Sequence, residues 1–202
     1  MKYLTFFSLF TALLLLNGCT STQPLLDESL SNFNNVYDDG EATFVDGELH
    51  LISEKNWFFS TKKVYDDFVL EAEVKMPDTS EYSNSGIIFR GQIVETDKGK
   101  QIVGYQVDID PSDRKWTGGF FDQGRRKWLY PSHPTRSHPD GDFVTNYLGE
   151  WSKEQGAAYR HLAWNKVKIV CKGSDIKIFI NDLLTTHVKD TKDSKGVIAF
   201  QH

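Results

Sequence analysis

Apolar residues in this chain recur at every second position and almost nowhere at helical spacing. The cleanest run is 67–76, with Phe68, Leu70, Ala72, Val74 and Met76 on one side and Glu71, Glu73 and Lys75 on the other. Strand side chains alternate across a sheet, so such a run buries one face and wets the other. Residues 42–45 and 48–52 flank Asp46-Gly47, a dipeptide that accepts the positive φ of a tight hairpin turn. Residues 85–90 are apolar on both sides, which predicts a central strand. Segments 103–110, 164–172, 175–181, 183–188 and 196–201 complete the set, with Gly173-Ser174 closing a second hairpin. Only 146–155 suggests a helix, and a short one. No repeat of about 20–50 residues is present. Many short strands between frequent turns predict an all-β sandwich, jelly roll or barrel.

One stretch breaks the rhythm. Residues 111–161 carry little strand pattern, and structureless loops of that length in a compact domain are functional or disordered. This one holds Trp116, Phe120, Phe121, Trp128, Tyr130, Phe143, Tyr147, Trp151 and Tyr159. Disordered segments are poor in such residues. The expectation is a set of structured loops over one face of the sheet. They either plug the edge of the sandwich or roof a binding site.

The first 18 residues read as a secretory signal. Lys2 supplies a positive start, 3–16 is nearly all apolar, and Leu16-Asn17-Gly18-Cys19 follows. The run is short for a membrane span. It resembles a bacterial lipobox, which implies a lipid on Cys19 and a domain held at the cell envelope, outside the cytoplasm. Thr20 after the cysteine implies the outer membrane, on its periplasmic side. Residues 19–28 then read as a tether, and 29–202 as one domain.

Residues 1–18 carry one Lys and no acid, so the remainder holds 22 basic and 28 acidic groups, a net charge of −6. That balance argues against nucleic acid and against peripheral binding to anionic lipid. Membrane contact is expected only through the anchor, and a neutral ligand suits the surface. Besides Cys19 there is only Cys171, which alternates with Val167 and Ile169 and reads as a buried apolar residue. Nothing in the pattern sets an oligomeric state.

The sharpest local constellation is 104–110. Tyr105, Val107 and Ile109 share one face; Gln106, Asp108 and Asp110 share the other. Carboxylates two apart on a strand face lie about 7 Å from each other and raise each other's pKa. Such a row is either a solvated outer face or a polar cleft for sugar hydroxyls and proton transfer. Alternation alone leaves both open. In Asn84-Ser85-Gly86-Ile87-Ile88-Phe89-Arg90, Gly86 permits close approach and Arg90 needs a partner or an opening. His133, His138, Asp140 and Asp142 suit zinc or manganese by chemistry. Their spacing matches no metal motif, and prolines beside the histidines favour a solvated loop. No cofactor is expected, with a divalent metal left open.

Taken in order, the 66–74 strand, Asn84 to Arg90, Gly104 to Asp110, Trp164 to Gly173, Ile180-Asn181-Asp182 and Gly196 to Gln201 resemble the 3-keto-disaccharide hydrolase family. That family is also described as 3-keto-glucoside 1,2-lyase or 3-keto-2-hydroxy-glucal hydratase. The resemblance spans about residues 28–202. It implies a concanavalin-like jelly roll of two antiparallel sheets and a carbohydrate substrate already oxidised at C3. The ketone acidifies the C2 hydrogen, a base removes it, and the glycosidic oxygen leaves C1 with help from an acid. Under this resemblance Asp108 or Asp110 is base or acid and Arg90 stabilises the enolate. Asn84, Tyr105, Gln106, Trp116, Phe121 and His133 bind the sugar. Two departures stand out. The chain has Gln106-Val107-Asp108 where the family often has Glu-Val-Gln. It also stops at His202 where the family continues into another strand, so a fragment or an early stop is expected. The main rival is a non-catalytic carbohydrate-binding module of the same class, followed by a conventional glycosidase and an inert surface scaffold.

Overall fold

The computed structural model describes residues 22–78, 84–97 and 99–202. In chain order the strands begin with β1 (Phe33–Asn35), β2 (Glu41–Val45), β3 (Glu48–Ile52), β4 (Phe58–Thr61) and β5 (Phe68–Val74). The long hairpin of β6 (Ser85–Thr96) and β7 (Gly99–Ile109) follows, then β8 (Phe120–Gln123), β9 (Lys127–Tyr130) and β10 (Phe143–Asn146). After one helical turn, α1 (Lys153–Ala157), come β11 (Asn165–Lys172), β12 (Asp175–Ile180), β13 (Leu183–Asp190) and β14 (Val197–Gln201).

These strands form a concanavalin-like jelly roll. A seven-stranded sheet runs β1-β4-β14-β6-β7-β8-β9 and a five-stranded sheet runs β10-β13-β12-β11-β5, while β2 and β3 pair alone. Alternation decides what lies between the layers. Ile87, Phe89, Tyr105, Val107, Ile109 and Phe120 of the large sheet meet Leu70, Val167, Ile169, Ile176, Ile178 and Val188 of the small one. Burying each such side chain contributes about 1.5–3 kcal/mol. Cys171 is in this core, and burial pushes its thiol up to about 12, as expected of an inert apolar residue.

The outer face of the large sheet has its own packing. Phe58, Ile88, Ile102 and Ala199 cluster under Val36 and Tyr37. On the opposite, inner face at the edge of this sheet, Phe33, Trp57 and Phe59 pack with Leu49 and Leu51 of the β2–β3 hairpin. That hairpin turns at Asp46 and Gly47, with φ of 52° and 85°, the left-handed geometry the Asp-Gly pair suits. Leu25 and Leu26, inside the stretch expected to be tether, already pack against this second cluster.

Three expectations need correction. The 111–161 stretch is not loops alone. β8 and β9 extend the large sheet and β10 edges the small one. Each has only four residues, too short for alternation to register. The short helix is Lys153–Ala157, at the far end of the segment expected for it, and is started by a Ser152–Gln155 capping box. The strand expected over 85–90 continues to Thr96. A bulge between Phe89 and Gln92 interrupts its pairing with β7, which hides the continuity from a periodicity reading. β14 is paired on both sides, to β4 and to β6.

Candidate active site

On β7, Gln106 and Asp108 point away from the core, on the outer face of the large sheet. Register places Gly86 opposite Asp108 and Ile88 opposite Gln106 on β6, and Phe121 opposite Gln106 on β8. Trp128 of β9 stands beside Phe121. The face is not open to solvent here. A cavity of about 560 Å³ lies over it, walled by the 53–56 segment, Asn84, Gln106, Asp108, Arg114, Phe121, Gln123, Trp128, Arg136, Gln201 and His202. The polar row on β7 therefore faces a cleft.

Asp108 is the most perturbed group in that wall. It is 2 % exposed. Its Oδ1 accepts from Asn84 Nδ2 at 3.3 Å and from Gln106 Nε2 at 3.2 Å, while its Oδ2 has no hydrogen-bond partner. Burial, followed by the neighbouring Asp110 carboxylate, pushes its pKa up to about 7, against the opposing pull of Arg114, Asn84 and Gln106. A carboxylate with one oxygen clamped and the other free, ionising near neutrality, is built to take and return a proton.

Asp110 has a different role. It is buried, but it is not among the residues lining the cavity. Arg114 pairs with it at 3.0 Å, and its Oδ1 accepts from the Ser112 backbone N–H at 3.0 Å. It therefore holds Arg114 in place and raises Asp108 electrostatically. The Arg114 guanidinium lies 5.4 Å from the ring centres of both Trp116 and Trp128, which fixes its plane at the cavity wall.

Several expected site residues lie elsewhere. Arg90 is 1 % exposed and does not line the cavity. At the bulge it adopts φ of 50°. Its guanidinium donates to the Asp66 carbonyl at 3.0 and 3.1 Å, to the Asp193 carbonyl at 3.0 Å and to Asp67 Oδ1 at 3.3 Å. It ties loops together and cannot meet an enolate. Tyr105 points into the core, where its hydroxyl donates to Asp190 Oδ1 at 2.6 Å. Trp116 and His133 are outside the wall. Trp116 packs edge-on against Trp128 at 4.9 Å, with His133 behind it at 5.9 Å. Asn84, Gln106, Asp108 and Phe121 do come together. Cys19 lies outside the described residues.

The structure adds wall residues that the sequence reading did not single out: Arg114, Trp128, Arg136, Gln201 and Asn56. The first three belong to the aromatic-rich segment, where only clustering gave a signal. Gln201 and Asn56 carry no local signal, because Gln201 arrives through the pairing of β14 with β4 and β6, and Asn56 through the packing of the segment just before β4. Among the described residues no cluster of His, Cys, Asp and Glu could hold a metal ion. Asp140 and Asp142 go instead to Lys192, at 2.7 and 2.8 Å.

The fold recurs in solved structures. A glycosyl hydrolase candidate from Parabacteroides distasonis is 17 % identical, with a TM-score of 0.52 over 89 % of each chain. A second from the same organism is 12 % identical, with a TM-score of 0.50 over 86 % of this chain and 83 % of that one. The carbohydrate-binding module CBM66 from Bacillus subtilis is 14 % identical, with a TM-score of 0.51 over 85 % and 87 %. At such identities the likeness is one of fold. No curated protein matches the chain. The family model described as the 3-keto-alpha-glucoside-1,2-lyase-like domain matches residues 21–202, nearly the whole sequence, and the chain belongs to that carbohydrate-related family.

Proposed function

We propose that the protein cleaves 3-keto-glucosides by removing the C2 proton and expelling the glycosidic oxygen from C1. One observation carries this reading. Asp108 stands in the wall of a cavity with a free carboxylate oxygen and a pKa raised to about 7. A base poised there suits a carbon acid activated by a neighbouring ketone. Asp108 Oδ2 takes the C2 proton, and the C–H electron pair flows to the C3 carbonyl oxygen as an enolate. The enolate then collapses, the C1–O bond breaks, and the leaving oxygen gains a proton. Water adds to the resulting double bond to complete net hydrolysis. Arg114, which lines the same cavity and acts on the Asp108 charge, supplies the positive potential for the enolate oxygen in place of Arg90. Phe121 offers an apolar surface to a sugar ring.

The test offers a 3-keto-glucoside and its unoxidised parent to the protein and to Asp108→Asn, in D₂O. Cleavage of the keto sugar alone, deuterium at C2, and a loss of about 10²–10⁴-fold in the variant are expected. Binding of either sugar without cleavage would make the domain a carbohydrate-binding module. Cleavage of the parent would make it an ordinary glycosidase.

A further inference from the structure

The side-chain amides around Asp108 form a chain with one direction. Gln106 Nε2 donates to Asp108 Oδ1 at 3.2 Å and to Gln201 Oε1 at 2.8 Å. Gln201 Nε2 donates onward to Asn56 Oδ1 at 2.7 Å. A primary amide has two N–H donors, and on Gln106 both are now used. What remains is its Oε1, buried and without a hydrogen-bond partner, on a side chain of the cavity wall. Reversing the amide would set that oxygen against two other oxygens, Asp108 Oδ1 and Gln201 Oε1, and both contacts would turn repulsive.

Packing supports the same arrangement. Gly86 faces Asp108 across the β6–β7 ladder. A Cβ on Gly86 would fall 2.4 Å from Gln106 Nε2. Only a residue without a side chain leaves the Gln106 amide its place. Gln201 and Asn56 are 145 residues apart in the chain, so local structure does not explain why they meet here.

We propose that Gln201 and Asn56 are positioning residues that lock the Gln106 amide, so that it gives its N–H to Asp108 and its carbonyl oxygen to a substrate hydroxyl. The inference rests on the proposed function for the identity of the substrate, but not for the amide geometry. It has two consequences. The N–H held on Oδ1 favours the ionised form of Asp108, the form that removes a proton. The buried Oε1 demands a donor, so the site selects a sugar with a hydroxyl at that point and rejects the deoxy analogue, which would leave the acceptor unpaired.

The experiment follows the Asp108 carboxyl carbon and the Gln106 side-chain amide by NMR from pH 4 to 9, without substrate. It compares the unaltered protein with Gln201→Met, Asn56→Leu and Asn56→Asp. Gln201→Met and Asn56→Leu should raise the Asp108 midpoint by about half a pH unit or more and speed exchange of the Gln106 amide protons. Asn56→Asp keeps an acceptor for Gln201 and should leave exchange of the Gln106 amide protons where it was, its added charge acting only on the Asp108 midpoint. Asn56 is exposed, so its variants report even if Gln201→Met fails to fold. Unchanged titration and exchange in Asn56→Leu would overturn the proposal, as would Gln106 amide exchange in Asn56→Asp as fast as in Asn56→Leu. Failure of Asp108 to titrate near neutrality in the unaltered protein would undo the proposed function. Amide exchange would still decide the positioning role.

Discussion

Two aspartates that look equivalent in the sequence are made unlike by the side chains around them. Arg114 neutralises Asp110, whereas Asp108 receives two amide donors on one oxygen and none on the other. The difference should be measurable in folding as well as in turnover. The Asp108 pKa is raised on folding, from an ordinary value of 3.8 to about 7. The folded state thus holds this proton more tightly than the unfolded state. Its contribution to stability is fully present below about pH 4 and is lost as pH rises through about 7. Asp108→Asn abolishes that dependence. Urea unfolding at pH 5 and pH 8 should show the unaltered protein losing on the order of 3 kcal/mol more than the variant across that span. Equal losses in the two proteins would place Asp108 back in the ordinary carboxylate range.

Among the elements, the β6 bulge separates a frame residue from a site residue. Before it, Gly86 and Ile88 oppose Asp108 and Gln106 in regular register; after it, Gln92 pairs with Val103. At the break Arg90 turns its guanidinium onto the Asp66 and Asp193 carbonyls. Arg90→Met should therefore lower stability by about 1–3 kcal/mol, because the Asp66 and Asp193 carbonyls lose a charged donor. The pH midpoint of turnover should stay fixed, as read from urea titrations and a pH–rate profile. Lost turnover in a fully stable variant would return Arg90 to the site. This also marks how far the residues alone could be read. The alternating runs of β5, β7, β11 and β12 declared themselves, because each buries one face and wets or polarises the other. Four-residue strands such as β8 and β9 did not, and neither did a bulge that turns an arginine out of its expected row. The 104–110 row was legible as polar. Its placement under a cavity was not, because the 53–56 segment and Arg136 arrive there through tertiary packing.

At the scale of the molecule, the two sheets are clamped at one end by buried charge. Asp122 on β8 and Asp190 on β13 belong to different sheets, and Arg126 bonds to both and also to Asp140. Arg125 adds links to Asp122 and Asp193. Arg126→Met leaves two buried carboxylates without their shared cation and should cost about 3–5 kcal/mol in denaturant unfolding. A loss below about 1 kcal/mol would mean that the clamp is dispensable. The order of the large sheet has a kinetic corollary. β14 lies between β4 and β6, so Phe58 and Gln201 are partners although more than half the chain separates them. Bringing such distant segments into register demands loop closure before any contact rewards it, which slows the search. The Gln201–Gln106 bond depends on that late union. Half-built intermediates would thus carry the Gln106 amide without its Gln201 lock, and a fully ordered site would emerge together with completion of the sheet.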